Sequence, residues 1–435
     1  MSKRRTGIFI SFLSVFTLLS GCTKEPAKLD SVTGIKYEDG ILSFTEVEGA
    51  TGYNINFYHK EELVYTDKIS GTAIDVESLG LEGNILFVIS AYNDKVESES
   101  TDFEFIVYTA FTDVIIEAED NLYNFGTGKE QSNFRNNPAA HKGAYVGGLD
   151  DAGHGIYINY LSPFDGTFDV ESYYCWHKTS SINQAQHEIR VNGETAGMFT
   201  YTEDTGWGGA TFNPAVTTAS ITLKKGWNTI AIMKNGDHTD NWGDFAEIDY
   251  IKIKGNNEKY NIDDLDIYGA RPPKYRLEAE MGSPRKKDVG SGLYLAKNPC
   301  IKEDENTTYS NGFLMGGIEN KYDGVEWHFD SSVKAKYKIQ IAYAAGQFDG
   351  STKARPTFIV TQAAVTPAKS IDLLDFPMQQ MEQLDYTGWN YPVLAEETIE
   401  LTLEKGDNFI YCIKLDNSGF FQIDYCDLTF VEEVV

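Results

Sequence analysis

Ile116-Glu117-Ala118-Glu119 returns as Leu277-Glu278-Ala279-Glu280, and each copy opens a longer matching string. The first string continues through Gly147-Gly148-Leu149, Gly206-Trp207, LKKGWNTI (223–230) and Ile248-Asp249-Tyr250. The second continues through Gly316-Gly317-Ile318, Gly388-Trp389, LEKGDNFI (403–410) and Ile423-Asp424-Tyr425. Successive offsets are 161, 169, 182, 180 and 175 residues, a drift that small loop insertions and deletions explain. GIYINY (155–160) also matches GVEWHF (324–329), and FDVESYY (168–174) matches YKIQIAY (337–343). A period this long is that of a domain rather than of a solenoid repeat.

Around this duplication the chain reads as strands. ILSFTEV, GYNINFY, ILFVISAY, IYINYL, ASITLKK, YIKIKG, KIQIAYA and FIYCIKL alternate or are β-rich, and turn residues separate them. No helical period persists over a long window. The expectation is an all-β protein of three β-sandwich domains. These cover residues 31–107, 110–255 and 275–432, with 256–274 (NNEKYNIDDLDIYGARPPK) a polar linker ending in Pro272-Pro273.

The start of the chain reads as an export signal. Lys3, Arg4 and Arg5 precede an apolar stretch over 6–19 that is too short to span a bilayer. Leu19-Ser20-Gly21-Cys22 resembles the bacterial lipobox. That resemblance implies a signal peptide over 1–22, lipidation of Cys22, and an outer-membrane lipoprotein held at the cell surface by its acyl chains. Removing residues 1–21 deletes three positive charges and no negative ones, so the net charge of −28 becomes −31. Such a body repels phosphate backbones, which disfavours nucleic-acid binding, and no nucleic-acid partner is expected. Cys175, Cys300, Cys412 and Cys426 lack metal-ligand spacing and read as buried thiols, a Cys412–Cys426 bridge being the alternative.

Two family resemblances follow. Gly49-Ala50-Thr51-Gly52-Tyr53-Asn54-Ile55 and the later FVISAYNDKVES resemble a fibronectin type III domain. This implies a spacer whose two signature strands face each other across the core. In the repeats, the E-A-E strand, the G-G strand, the T-G-W loop, the L-x-x-G-x-N-x-I strand and the closing I-D-Y strand resemble family 6 and family 35 carbohydrate-binding modules. The implied fold is a galactose-binding-like jelly roll.

The shared residues carry chemistry of their own. Strand alternation would put Glu117 and Glu119 on one face, about 6.6 Å apart. Two carboxylates that close repel unless a cation or proton lies between them, and oxygen ligands suit calcium better than zinc. A solvent-facing acidic edge is the bland alternative. The resemblance implies one structural calcium per module, on Glu117, Glu119 and Asp249 in the first and Glu278, Glu280 and Asp424 in the second.

Sugar rings need flat apolar faces and hydroxyl partners on rigid loops. The resemblance implies Trp207 and Trp389 as stacking residues. It places Glu247 and Gln422 where the family pattern has an Asn that bonds sugar hydroxyls. Trp242 and Phe420, in the loops just before, are further aromatic candidates. For the early-loop aromatic, Tyr123, Phe125 and Phe134 compete in the first copy, and Tyr294 and Tyr309 in the second. Trp227 sits within a strand and reads as core. The run Arg285-Lys286-Lys287 reads as solvated surface or as an attractor for an acidic sugar. His141, His154, His177 and His187 are scattered, and neither G-x-S-x-G nor H-E-x-x-H occurs, so a non-enzyme is expected. The whole resembles surface glycan-binding lipoproteins of glycan-uptake systems. The implied partners are a polysaccharide or oligosaccharide, the membrane through the lipid anchor, and a glycan-uptake transporter complex. An adhesin binding protein is the alternative, and a glycoside-cleaving enzyme the next.

Overall fold

The computed structural model describes residues 28–123, 133–149, 154–179, 182–209, 212–234, 245–269, 271–285, 300–303, 309–310, 313–346, 353–363, 365, 372–388, 391–416 and 419–434. Cys22, Phe125, Trp242, Tyr294, Lys286, Lys287 and Trp389 lie outside the described residues. The chain forms two compact units, residues 1–108 and 109–435, and is all-β.

The first unit is a sandwich of a three-stranded and a four-stranded sheet. Alternation along Gly52–His59 and Gly83–Tyr92 turns Tyr53, Ile55, Phe57, Phe87 and Ile89 into its core. These two strands were expected to face each other across the core. Instead they are hydrogen-bonded neighbours in one sheet, with Gly52 opposite Tyr92 and His59 opposite Ile85.

The second unit holds both repeats, each a two-sheet jelly roll with its own core. Their topologies agree, except that the strand Ala215–Leu223 of repeat 1 is matched by two, Val393–Leu394 and Ile399–Leu403, in repeat 2. In repeat 1 the sheet containing the first and last strands, Val114–Glu117 and Glu247–Ile253, also holds Asn133–Asn136, Ala144–Gly147, Gly166–Cys175 and Ala215–Leu223. Its counterpart in repeat 2 places Lys274–Glu278 against Phe420–Glu433, with Cys300–Glu303, Phe313–Ile318 and Ala335–Gly346 in the matching places. The opposing sheets have the orders 122–123, 155–162, 226–233, 185–191, 194–201 and 283–285, 324–331, 406–414, 356–361, 378–380. Cys175, Cys412 and Cys426 are buried free thiols.

The repeated L-x-x-G-x-N-x-I string is a turn lock. Asn228 donates to the carbonyls of Lys224 and Gly226 (2.7 and 2.9 Å) and accepts from Lys224 N (3.0 Å). Asn408 repeats all three bonds with Glu404 and Gly406 (2.9, 2.8 and 2.7 Å). Both asparagines are essentially sealed from solvent. The motif glycine allows the tight turn: Gly226 has φ 102° and Gly406 φ 92°.

The segment expected as a polar linker is folded onto repeat 1. Lys259–Tyr260 pairs with Thr109–Ala110, and Tyr260 packs on the core. Asn261 caps the 3₁₀ turn Ile262–Tyr268 by accepting from Asp263 N. Trp227 Nε1 donates to Tyr268 O at 3.0 Å.

Replacing Asn228 or Asn408 by Ala leaves buried turn groups without partners. Each substitution should cost about 2 kcal/mol, read as a lower denaturant midpoint at unchanged slope.

Candidate functional site

The E-A-E phrase is a strand end. Glu117 is the last residue of Val114–Glu117, and Glu278 the last of Lys274–Glu278. Ala118 and Ala279 turn wholly into the protein, and Ala279–Met281 is a 3₁₀ turn. The expectation that both glutamates share one strand face is therefore corrected, because the second has already left the strand. Glu119 is nonetheless close enough for Glu117 and Asp249 to raise its pKa. Glu280 lies in the matching turn, its side chain outside the described residues.

The aspartates of the closing strands arrive by a shared device. Tyr173 pairs with Tyr250 and Tyr174 with Ile248, so Asp249 is the extra residue of a β-bulge. In repeat 2 Ala342 pairs with Tyr425 and Tyr343 with Ile423, leaving Asp424 as the bulge. Glu117 lies opposite Tyr250 and Glu278 opposite Tyr425. The bulged aspartate thus stands beside the buried glutamate in both copies.

The groups answering these carboxylates also correspond, through residues that sequence reading passed over. His141 N donates to both oxygens of Asp249 (3.1 and 3.2 Å), and His141 Nδ1 lies 2.6 Å from Glu117 Oε1. The 169-residue offset of the neighbouring strands carries His141 onto Ser310. Ser310 N donates to Asp424 Oδ1 at 2.9 Å and Ser310 Oγ to Glu278 Oε1 at 2.7 Å. Different side chains fill one role, so comparing the copies by residue type could not find them. Lys142 Nζ adds a contact to Glu117 at 3.4 Å.

Burial sets the electrostatics. Desolvation, then the neighbouring carboxylates, pushes Glu119 up to about 7. Burial raises Asp249 to about 6, against the His141 N–H. Asp424 rises to about 7 by burial, against Ser310 N–H and Arg276. Glu278 is raised well above the usual carboxylate range by burial and by Asp424. Among the described residues no three His, Cys, Asp or Glu side chains converge on one point where an ion would sit. The chemistry of the donors still suits a hard cation: Oε2 of Glu117, Glu119 and Glu278 is buried and accepts no hydrogen bond.

The T-G-W loops are built alike. Thr205 N bonds Trp176 O, and Trp176 N bonds Thr205 Oγ1 (both 2.9 Å). Thr387 makes the same reciprocal pair with Ala345 (3.2 and 3.0 Å). Gly206 (φ 72°) and Gly388 (φ 86°) then turn left-handed, a conformation that favours glycine. Trp207 is half-buried, stacked on Phe245 with ring centroids 5.0 Å apart, and edge-on to His177. In repeat 2 the same loop exposes Tyr386 (62%) and Tyr391 (65%), two aromatics that sequence reading missed.

Glu247 takes a different part from the one expected. It is 2% exposed; Arg135 Nη1 lies 2.5 Å from Oε1, and Gly208 N donates to Oε2 at 2.6 Å. Its carboxylate anchors the loop and aims Arg135, whose side chain is about one-third exposed beside Tyr145. The polar group offered at the surface is the guanidinium. Gln422 (1%) and Phe420 (5%) are likewise buried rather than presented. Tyr309 is buried, and Tyr123 lies in the strand Leu122–Tyr123; the side chains of Tyr123 and Phe134 are outside the described residues.

No protein-family model matches the sequence, and a search of curated proteins finds no match. Solved structures do match. A family 35 carbohydrate-binding module from Clostridium thermocellum is 23% identical over 32% of this chain and 98% of its own (TM-score 0.28). The CBM36-1 domain of a multidomain xylanase from the hindgut metagenome of Trinervitermes trinervoides is 24% identical over 34% and 100% (0.26). An exo-beta-1,3-galactanase from Phanerochaete chrysosporium is 15% identical over 52% and 56% (0.26).

Arg135→Ala would leave the buried Glu247 carboxylate without its ion pair. The substitution should destabilise the second unit by about 2–4 kcal/mol, measured by thermal or denaturant unfolding. Trp207→Ala should cost far less.

Proposed function

We propose that the protein captures glycans through its tandem sandwiches without cleaving them. The observation that carries this is the Trp207 loop. A half-buried indole is held by the Thr205–Trp176 bonds and the left-handed Gly206, close to the Arg135–Glu247–Tyr145 cluster. An aromatic face with fixed hydrogen-bonding groups suits a sugar ring. The second copy supports the reading with exposed Tyr386 and Tyr391 beside Gly388.

Two such sites on one chain would gain avidity for a repeating polymer. The lipobox around Cys22 supports an outer-membrane lipoprotein at the cell surface, delivering glycan to an uptake transporter. The three-plus-four-stranded first unit suits a fibronectin type III-like spacer. Among the described residues no helix is long and apolar enough to cross a membrane.

Calcium belongs to this reading. Glu117, Glu119 and Asp249 would hold one ion, and Glu278, Glu280 and Asp424 the other, with backbone carbonyls completing each set. The ion would supply charge compensation that pins the first strand to the last.

Calorimetric titration of the chain against a glycan panel tests the capture role. Trp207→Ala should weaken binding by about 1–3 kcal/mol, by analogy with stacking of bases on aromatics. Release of reducing ends from the bound polymer would contradict a non-catalytic role.

For calcium, a chelator should lower the melting temperature. A hundredfold excess of ion over Kd is worth about 2.7 kcal/mol. Asp249→Ala should remove the part of the shift due to repeat 1. Equal melting with and without chelator would count against the ions.

A further inference from the structure

The outer face of repeat 1's second sheet does not look into solvent. Alternation along Gly155–Ser162 and Gly226–Met233 sends Ile156, Ile158, Ile230 and Ile232 into the core. It leaves Tyr157, Asn159, Trp227, Ala231 and Met233 on the other face. One end of that face is dry, with Tyr157, Ala231 and Met233 packed against Met281 of repeat 2. The other end is open. There Asn159 and Trp227 form the floor of a cleft of about 700 Å³, walled by Arg271 of the folded linker and by Tyr275 and Phe329 of repeat 2. Trp227 was expected in the core; it is half-buried and lines this cleft instead.

We infer that this cleft between the repeats is a third glycan site, separate from the two T-G-W loops, made jointly by both copies and taking a neutral oligosaccharide. The inference rests on the glycan-binding reading above. Its size falls in the range of small-molecule sites, about 300–1,000 Å³, and it mixes aromatic faces with polar groups. Two of its lining side chains outside the carboxylate cluster, Asn159 and Arg271, each carry a buried polar atom with no hydrogen-bond partner (Oδ1 and Nη1). Such atoms are rare in folded proteins, and their meeting in one cleft points to an occupant that satisfies them.

Charge selects the class of sugar. The lining carries four carboxylates, Glu119, Asp120, Asp330 and Asp407. Its two arginines are already engaged, Arg276 with Asp427 and Arg271 with Glu433. Even with Glu119 given to a cation, carboxylates dominate. Asp407 is answered by His328 at 2.7 Å and Asp120 by Lys142 at 3.7 Å, yet the lining stays net negative, so a uronate or sulfate would be repelled whereas sugar hydroxyls would donate to these acceptors.

The test is calorimetric titration of the full chain with neutral xylo-, manno-, cello- and galacto-oligosaccharides. Binding at the cleft is expected beside binding at the T-G-W loops. Trp227→Ala should weaken cleft binding by about tenfold or more, Trp227→Phe should restore most of it, and Trp207→Ala should weaken only the loop binding of repeat 1. Asn159→Ala keeps the aromatic floor and should weaken the same binding as Trp227→Ala with the melting temperature preserved, which separates lost contacts from a disturbed interface. Titrations unaffected by the Trp227 and Asn159 changes but weakened by Trp207→Ala would overturn the cleft site and leave glycan binding standing. No binding of any oligosaccharide by the unsubstituted chain would overturn both. Equal binding of a uronic-acid oligosaccharide at the Trp227-dependent site would overturn the neutral assignment.

Discussion

Each repeat is organised around a glutamate and an aspartate brought together where almost no water reaches. Glu117 and Asp249 are 3% and 2% exposed, Glu278 and Asp424 2% and 4%. Burying like charges side by side is costly unless something answers them. The first strand must therefore meet the last in a fixed register, the bulge must fall at the aspartate, and a loop must deliver a backbone N–H to it. His141 and Ser310 do this from equivalent loops with different side chains. The architecture is kept through divergence because this juxtaposition tolerates little displacement.

The same geometry separates what holds a motif together from what it presents. In the T-G-W loop of repeat 1, threonine ties the loop to the neighbouring strand, glycine turns it, and Trp207 is left half-buried against Phe245. In the L-x-x-G-x-N-x-I string, asparagine closes the turn so that the following strand runs in register with Gly155–Ser162 or Gly324–Ser331. Threonine and asparagine position these elements; the exposed aromatics and Arg135 are the groups available for contact.

Much of this was legible in the sequence. Strand alternation and turn spacing gave the all-β class, and the two strings matched strands that occupy the same places in both sandwiches. The bulges were not legible, since one extra residue leaves no mark in composition. Glu247 reads as an acceptor for a hydroxyl until the fold shows Arg135 and Gly208 N on its two oxygens. Trp227 was assigned to the core because alternation reports two faces but not what covers each. The outer face of that sheet is covered by the other repeat, a fact held in residues far away in sequence. The polar composition of 256–274 reads as a linker, yet Tyr260 and Tyr268 give it enough to grip.

The short pairing of Thr109–Ala110 with Lys259–Tyr260 brings the entry and exit of repeat 1 side by side. A pull between the first unit and repeat 2 would therefore load that two-residue ladder, peeling its bonds one at a time rather than shearing the long strands of the sandwich. The body of repeat 1 lies outside the line of tension. Once the ladder opens, the same pull reaches the Val114–Ile253 end of the first-to-last strand pair, so these few bonds are what shields the sandwich.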